Sequence, residues 1–502
     1  MPLRPGISNG KLWNTPPSLK RCGGGQSRIA SVVFAALLAL GCDVGESGSS
    51  SAEGGSSAAG ASGAGASGGA AQGGAEQGGS GQGGSAPGGA GQGGSASGGS
   101  GGTPEPGCTT ATDAAQPFGN HQLAYTSGAI LPSHQSQAQL DQAVRDYYAA
   151  WKFRYLEAGC GDARAYVNVH NNGLTVSEAH GYGMLIAAFM AGADSSARST
   201  FDGLFRYFKD HPSSGDGRLM AWKQGESCTN VDGSDSATDG DLDIAYALLL
   251  ADKQWGSSGE VDYHAEALNV ISGVRASEIS AGGYLKLGDW VDSGDYANAT
   301  RSSDVMPGHF ASFAAASNDS SWTTLLDQSL DMFATLQANH AATSGLIPDF
   351  IQSPYASPAP VDPYFLENAA DGAYGYNACR VPWRVGAYWL TSGDARAKQI
   401  LDKQNAFIRG ASGGDPWSIA AGYELSGQPL PNSGYSSLAY IAPFGVGAMS
   451  DATNQDWLNQ LWDTVITMGL ADEYYGDTLK LLSLIAMSGN WWTPAAAPCP
   501  DN

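Results

Sequence analysis

Three acidic residues crowd the start of one short stretch, "SATDGDLDIAYALLLADKQW", from Ser236 to Trp255. Asp239, Asp241 and Asp243 stand at the head of an apolar run with a helical period, and Asp239 and Asp243, four apart, share a face. Like charges at that spacing cost a helix about 0.2–0.5 kcal/mol, so something must offset them. A second stretch, "VNVHNNGLTVSEAHGYGMLIA", puts Glu178 at the start of another apolar helix. Gly181 and Gly183 thin that helix wall and admit a close neighbour. A carboxyl at a helix N-terminus is stabilised as the anion. Burial pushes the other way, and a proton donor needs burial to win. A third stretch, "PYFLENAADGAYGYN", sets Glu367 among Tyr364, Tyr374 and Tyr376. Trp222 in "LMAWKQGES" and Trp290 in "LGDWVDSGDY" also sit in loops beside acids. Aromatic rings pack on the C–H faces of sugars, and cleavage of a glycosidic bond needs two carboxyl groups, one protonated and one ionised. The plainer alternatives are a helix cap with solvated acids at Asp239, half of a capping pair at Glu178, and a solvated loop acid at Glu367.

These side chains need a scaffold. The helical period dominates from residue 140 onward. "LDQAVRDYYAAWKFRYL" places Leu140, Val144, Tyr147, Trp151 and Tyr155 on one stripe, and eleven further helical segments follow, ending with "YYGDTLKLLSLIAMSG". Loops rich in Gly, Asp, Ser and Pro join them, and few runs alternate with period two. Several helices are apolar nearly all round, which predicts burial on both sides. A dozen such helices without an internal linker predict an all-α toroid of paired helices, with loops gathered at each end to form a cleft. An irregular α-bundle is the alternative.

The rest of the chain is organised by composition. Residues 1–43 read as an export signal, with basic residues, then the apolar "IASVVFAALLAL", then "GC". "ALGC" resembles a bacterial lipobox, which would make Cys42 a lipidated anchor for a protein at the cell surface or facing the periplasm; plain secretion is the alternative. Residues 44–107 are almost only Gly, Ser, Ala and Gln, a composition expected to form a disordered tether. Residues 108–502 form the single folded domain. The chain holds 25 basic and 48 acidic side chains, and the first 107 residues hold five of each, so the net charge of −23 belongs to this domain. Such a surface argues against nucleic acid and anionic membrane surfaces as partners and would attract a cationic polymer. Of seven cysteines, five lie from Cys108 onward, and export permits disulfides. Cys108–Cys499, bracketing the domain, and Cys160–Cys228 are the pairings considered. No CxxC spacing suggests a metal site.

"SEAHGYGM", "LMAWK" and above all "ATDGDLDIAYALLLADKQW" resemble glycoside hydrolase family 8, and so do "SSDVMPGHF", "GLIPDF", "YNACRVPWR" and "APFGVGAM". The resemblance spans about residues 120–493 and implies an (α/α)6 barrel and an inverting endo-hydrolase of β-1,4-linked polysaccharide. It implies that Glu178 is the general acid, that Asp239 grips the sugar at the cleavage point, that Arg380 lines the active site, and that Trp222 stacks on sugar; Trp290, as a loop aromatic beside acids, is a further candidate substrate contact. On that reading, substrate binding offsets the acidic crowding. One departure matters: where many members carry an Asp base in "YDACR", this chain reads "YNACR", with Asn377. In a branch that includes chitosanases and some β-glucanases, a Glu in the preceding loop serves as base. The matching residue is Glu367, with Asn377 orienting water or a sugar hydroxyl and Asp304 the second candidate base. Inversion calls for no metal and no cofactor. The pattern and the acidic domain favour chitosan as substrate, β-glucan being the alternative, and the expected form is a monomer. A glycan-binding relic without a base, or a scaffold protein, are the readings outside catalysis.

Overall fold

The computed structural model describes residues 114–121, 123–170, 173–471 and 473–494. The export signal, Cys42, the Gly/Ser tether and the Cys108–Cys499 pairing lie outside these residues. Twelve α-helices are found among them: α1 (Gln137–Tyr155), α2 (Ser177–Phe189), α3 (Ala197–Asp210), α4 (Thr238–Trp255), α5 (Tyr263–Ser277), α6 (Pro307–Ser317), α7 (Ser321–Asn339), α8 (Val381–Ser392), α9 (Ala395–Ala411), α10 (Leu438–Ala448), α11 (Gln455–Thr467) and α12 (Tyr474–Met487). Strands are two or three residues long and confined to loops.

Packing sorts the helices into two rings. α2 packs on α4, α4 on α6, α6 on α8, α8 on α10, α10 on α12, and α12 back on α2. Each odd-numbered helix lies outside an even-numbered one: α3 on α2, α5 on α4, α7 on α6, α9 on α8, α11 on α10 and α1 on α12. This is the (α/α)6 barrel. Sequence decides which ring a helix joins. Every residue of α10 and α12 is buried, so neither has a face to give to water. α3 buries Phe201, Leu204, Phe205, Tyr207 and Phe208 while Lys209 and Asp210 stay exposed, the pattern of an outer helix. The stripe read from α1 is buried in full.

Hydrogen bonds among Glu178, Asp239, Ser303, Arg380 and Tyr474 gather the N-termini of α2, α4, α6, α8 and α12 at one end. The loops that enter the inner helices meet there too. A two-stranded antiparallel ladder pairs Thr175–Val176, just before α2, with Lys223–Gln224 from the α3–α4 loop. A three-stranded antiparallel sheet joins Ala299–Arg301, Phe350–Gln352 and Ala359–Pro360. Leu287, Val291, Phe350 and Val361 form a small second core beneath these loops. The Cys160–Cys228 disulfide, one of the two pairings considered from sequence, ties the α1–α2 loop to the α3–α4 loop, and Cys379 is a buried free thiol.

Candidate active site

Glu178 and Asp239 are each the second residue of an inner helix, α2 and α4. Asp304 closes a 3-10 turn, Ser302–Asp304, that leads into α6. Asn377 and Arg380 flank the turn that runs into α8. Tyr474 opens α12. Five of the six inner helix N-termini therefore deliver a polar side chain to one place, where the positive ends of their dipoles favour negative charge. α2 and α4 approach closely enough that a Cβ at Gly181 would lie 2.5 Å from the Asp243 Cβ. The close neighbour expected at Gly181 is thus the acidic helix itself.

Arg380 is the hub. Its Nη1 donates to Glu178 Oε2 at 2.7 Å and to Asp239 Oδ2 at 2.9 Å. Its Nη2 donates to Ser303 Oγ at 2.7 Å and to Asn377 Oδ1 at 3.0 Å. One guanidinium thus serves two buried carboxyls, and they divide in protonation. Burial pushes Asp239 up, but Arg380 and Arg301 outweigh it and hold the carboxyl below its usual range. At Glu178 burial wins over Arg380, and the ionised Asp239 adds to it, so the carboxyl rises to about 7. The Tyr474 hydroxyl lies 3.1 Å from Glu178 Oε1. Burial therefore overrides the helix terminus at Glu178.

The crowding on α4 has a different answer from the one expected. Asp241 and Asp243 are fully buried, not solvated. Asp243 accepts from Arg384 Nη1 at 2.7 Å and Nη2 at 2.5 Å and lies 2.8 Å from His309 Nε2. Asp239 and Asp243 are four apart on α4, and their partners Arg380 and Arg384 are also four apart. The protein itself offsets the crowding with two ion pairs before any ligand arrives. Asp241 points elsewhere and accepts from the Met220 backbone N–H at 2.8 Å. Burial and the neighbouring Glu278 push it well up, so it holds a proton rather than a charge.

Glu367 joins the same network. Asn377 Nδ2 donates to Glu367 Oε2 at 2.9 Å, and Arg301 Nη2 lies 3.5 Å from Oε1. Asn377 and Arg380 bridge Glu367 to Glu178, and the two carboxyls do not touch each other. Burial pushes Glu367 up to about 7, against the opposing pull of Arg301 and Asn377. Asp371, fully buried, accepts from the backbone N–H groups of Leu366, Glu367 and Asn368 at 2.7–2.9 Å and clamps the loop that carries Glu367. Asp304 is completely buried, is raised by burial to about 7 and lies 3.7 Å from Arg301. Glu367 keeps 7% of its side chain open. Of the two candidate bases, Glu367 alone has an exposed edge for water.

Trp290 is half-buried and meets Tyr296 edge-on at 5.6 Å, and Tyr296 meets Phe365 at 5.1 Å, beside the Glu367 loop. Trp222 is only 4% exposed: its Nε1 donates to the Asp232 carbonyl at 3.2 Å and the Lys223 ammonium lies 5.3 Å from its ring. Little of it is open to a ligand as the chain stands. Arg301, Asp371 and Tyr474 escaped the sequence reading. "YNACR" pointed to Arg380, but nothing local marks Tyr474, 296 residues from its partner Glu178.

The model for glycosyl hydrolases family 8 matches residues 129–489. A beta-glucanase of Niallia circulans is 44% identical over 380 residues, covering 75% of this chain and 91% of that protein. An endoglucanase of Bacillus sp. (strain KSM-330) is 37% identical over 378 residues, covering 73% and 80%. The apo structure of a beta-1,3-1,4-glucanase from Paenibacillus sp. X4 superposes with a TM-score of 0.73 at 44% identity, covering 75% of this chain and 99% of that one.

Proposed function

The chain belongs to glycosyl hydrolases family 8 and is a glycoside hydrolase, and from that premise we propose that it is an inverting endo-β-glucanase with Glu178 as general acid and Glu367 as general base. Glu178 gives its proton to the glycosidic oxygen as the bond from that oxygen to the anomeric carbon breaks. A water on the opposite face of the sugar attacks the anomeric carbon and loses its proton to Glu367, so the product is inverted. Asp239, ionised against Arg380, accepts from the hydroxyls of the sugar being cleaved and favours its distorted ring. Asn377 holds the Glu367 carboxyl through one hydrogen bond and leaves its other oxygen for Arg301 or water. The observation that carries this reading is the single hydrogen-bonded chain from Glu178 through Arg380 and Asn377 to Glu367.

On substrate, the relatives correct the preference drawn from sequence. Those reported above are named for β-glucan, not chitosan, and β-glucan is the better-supported choice. The Asn377/Glu367 pattern does not separate the two polymers. The site's own acids also suit a neutral chain: Asp239, Glu178 and Glu367 each already face an arginine. Export, with a lipid at Cys42 and residues 44–107 as the tether, fits an enzyme that works on bulky polymer as a monomer while held at the cell surface. Reducing-end release from barley β-glucan, carboxymethyl-cellulose, xylan and chitosan tests the substrate. Preference for β-glucan is the expected result; preference for chitosan would overturn it. Glycan binding without cleavage by the wild type would point to the binding relic instead.

A further inference from the structure

Five large apolar side chains are exposed among the described residues, and three of them, Tyr364, Trp417 and Tyr435, lie on loops at the end that holds the active site. Two of these continue an aromatic path that starts at the catalytic hub. The Tyr475 ring lies 5.7 Å from the Arg380 guanidinium. The Tyr376 ring is 6.2 Å from Tyr475, and the Tyr475 hydroxyl donates to the Tyr376 carbonyl at 2.6 Å. The Tyr376 and Tyr435 hydroxyls are 2.8 Å apart. Ser436 donates its hydroxyl to the Trp417 carbonyl at 2.7 Å, tying the 3-10 turn Pro416–Ser418 to the Tyr435 segment. Exposure rises outward along this path, from 4% at Tyr475 to 48% at Tyr435 and 47% at Trp417. About half of each of the last two side chains stays open among the described residues.

We propose that Tyr435 and Trp417 form an outer subsite that stacks on the sugar faces of a β-glucan chain as it leaves the catalytic cleft. The proposal rests on the endo-β-glucanase reading and adds to it where the long polymer is held. The ligand class follows from the surface: two flat rings with polar edges match a neutral ribbon of equatorial hydroxyls and axial C–H faces. The carboxylate beside the rings, Asp415, is engaged within the turn: it accepts from the Trp417 backbone N–H at 3.0 Å and from the Ser418 hydroxyl at 3.2 Å. Such a site acts on long chains and leaves short ones untouched, because only a long chain reaches it.

The test is retardation of the full chain in native gels cast with barley β-glucan or with chitosan, alongside the rate of reducing-end release from the polymer and from a short cello-oligosaccharide. The variants are Trp417→Ala, Tyr435→Ala and Tyr435→Phe, with thermal melting as the check on folding. Each alanine variant should weaken β-glucan retardation and raise the polymer KM by about tenfold, a loss of about 1.4 kcal/mol. kcat on the short substrate should stay unchanged. Tyr435→Phe, which keeps the ring and drops the hydroxyl bond to Tyr376, should bind like the wild type. Unchanged retardation in both alanine variants would overturn the subsite, as would equal losses on long and short substrates or a wild type retarded by chitosan alone. A wild type that is retarded but inactive, with weaker retardation in the variants, would overturn the hydrolase reading and leave the subsite standing.

Discussion

At the scale of residues, the site depends on how one arginine is shared. Arg380 keeps Asp239 ionised and leaves Glu178 with its proton, which separates two carboxyls that touch the same nitrogen. Glu178→Gln and Glu367→Gln should each lower turnover by about 10²–10⁴-fold in a reducing-end assay, the usual share of general acid–base catalysis. Glu367 must be ionised and Glu178 protonated. Both are raised to about 7, so activity falls as pH drops through 7 because the base gains a proton. It falls as pH rises through 7 because the acid loses one. The pH profile should be a narrow bell near neutrality whose limbs belong to the coupled network. Asn377→Ala removes a donor that favours the Glu367 anion, so the acidic limb should move to higher pH; an unmoved limb would detach Asn377 from the base. Glu178 and Asp239 were legible in sequence because each opens an apolar helix, whereas Glu367, a loop acid, was legible only through the family resemblance. Arg380 was legible through "YNACR", but its pairing with Glu178 was not: the two are 202 residues apart, and only the closed ring brings them together.

At the scale of elements, the helices were readable almost completely, since burial on all sides or on one side leaves a periodic trace in composition. What that trace lacks is proximity. Gly181 was legible as a thin place in a wall, but not that α4 fills it. A methyl at Gly181 would meet Asp243 at 2.5 Å, in contact with a buried ion pair. Gly181→Ala should cost about 1–3 kcal/mol in chemical denaturation and reduce activity, because α2 carries Glu178. Gly410, exposed near the end of α9 with nothing within 4 Å, makes the contrast. Gly410→Ala should stabilise the protein by about 0.4–1 kcal/mol and leave activity alone. Opposite signs from the same substitution would show that the space beside each glycine, rather than helix propensity, decides the outcome.

At the scale of the molecule, the domain is an acidic barrel whose catalytic end is cross-linked. The Cys160–Cys228 disulfide closes a separation of 68 residues that contains α2 and α3, so reduction or Cys160→Ser should cost about 2–4 kcal/mol of stability. Many buried acids also tie stability to pH. Burial raises Glu278 to about 8 and Asp349 and Glu473 to about 7. Each keeps its proton in the folded state and releases it on unfolding, so the stability it contributes is full below about pH 4.5 and is lost as pH rises through 7 to 8. The melting temperature should therefore fall between pH 5 and pH 9. Sequence revealed the excess of acid but not its placement: it suggested a charged outer surface suited to a cationic polymer, whereas several of those acids are buried, neutral or paired with arginine. The central claim is that a glutamate from a loop, held by an asparagine, serves as the base of this hydrolase. The most direct test is the initial rate of reducing-end release from barley β-glucan by the wild type and by Glu367→Gln at neutral pH. We predict cleavage by the wild type and a loss of at least about 10²-fold in the variant; a variant that cleaves at the wild-type rate would contradict the account and leave the base to be found elsewhere.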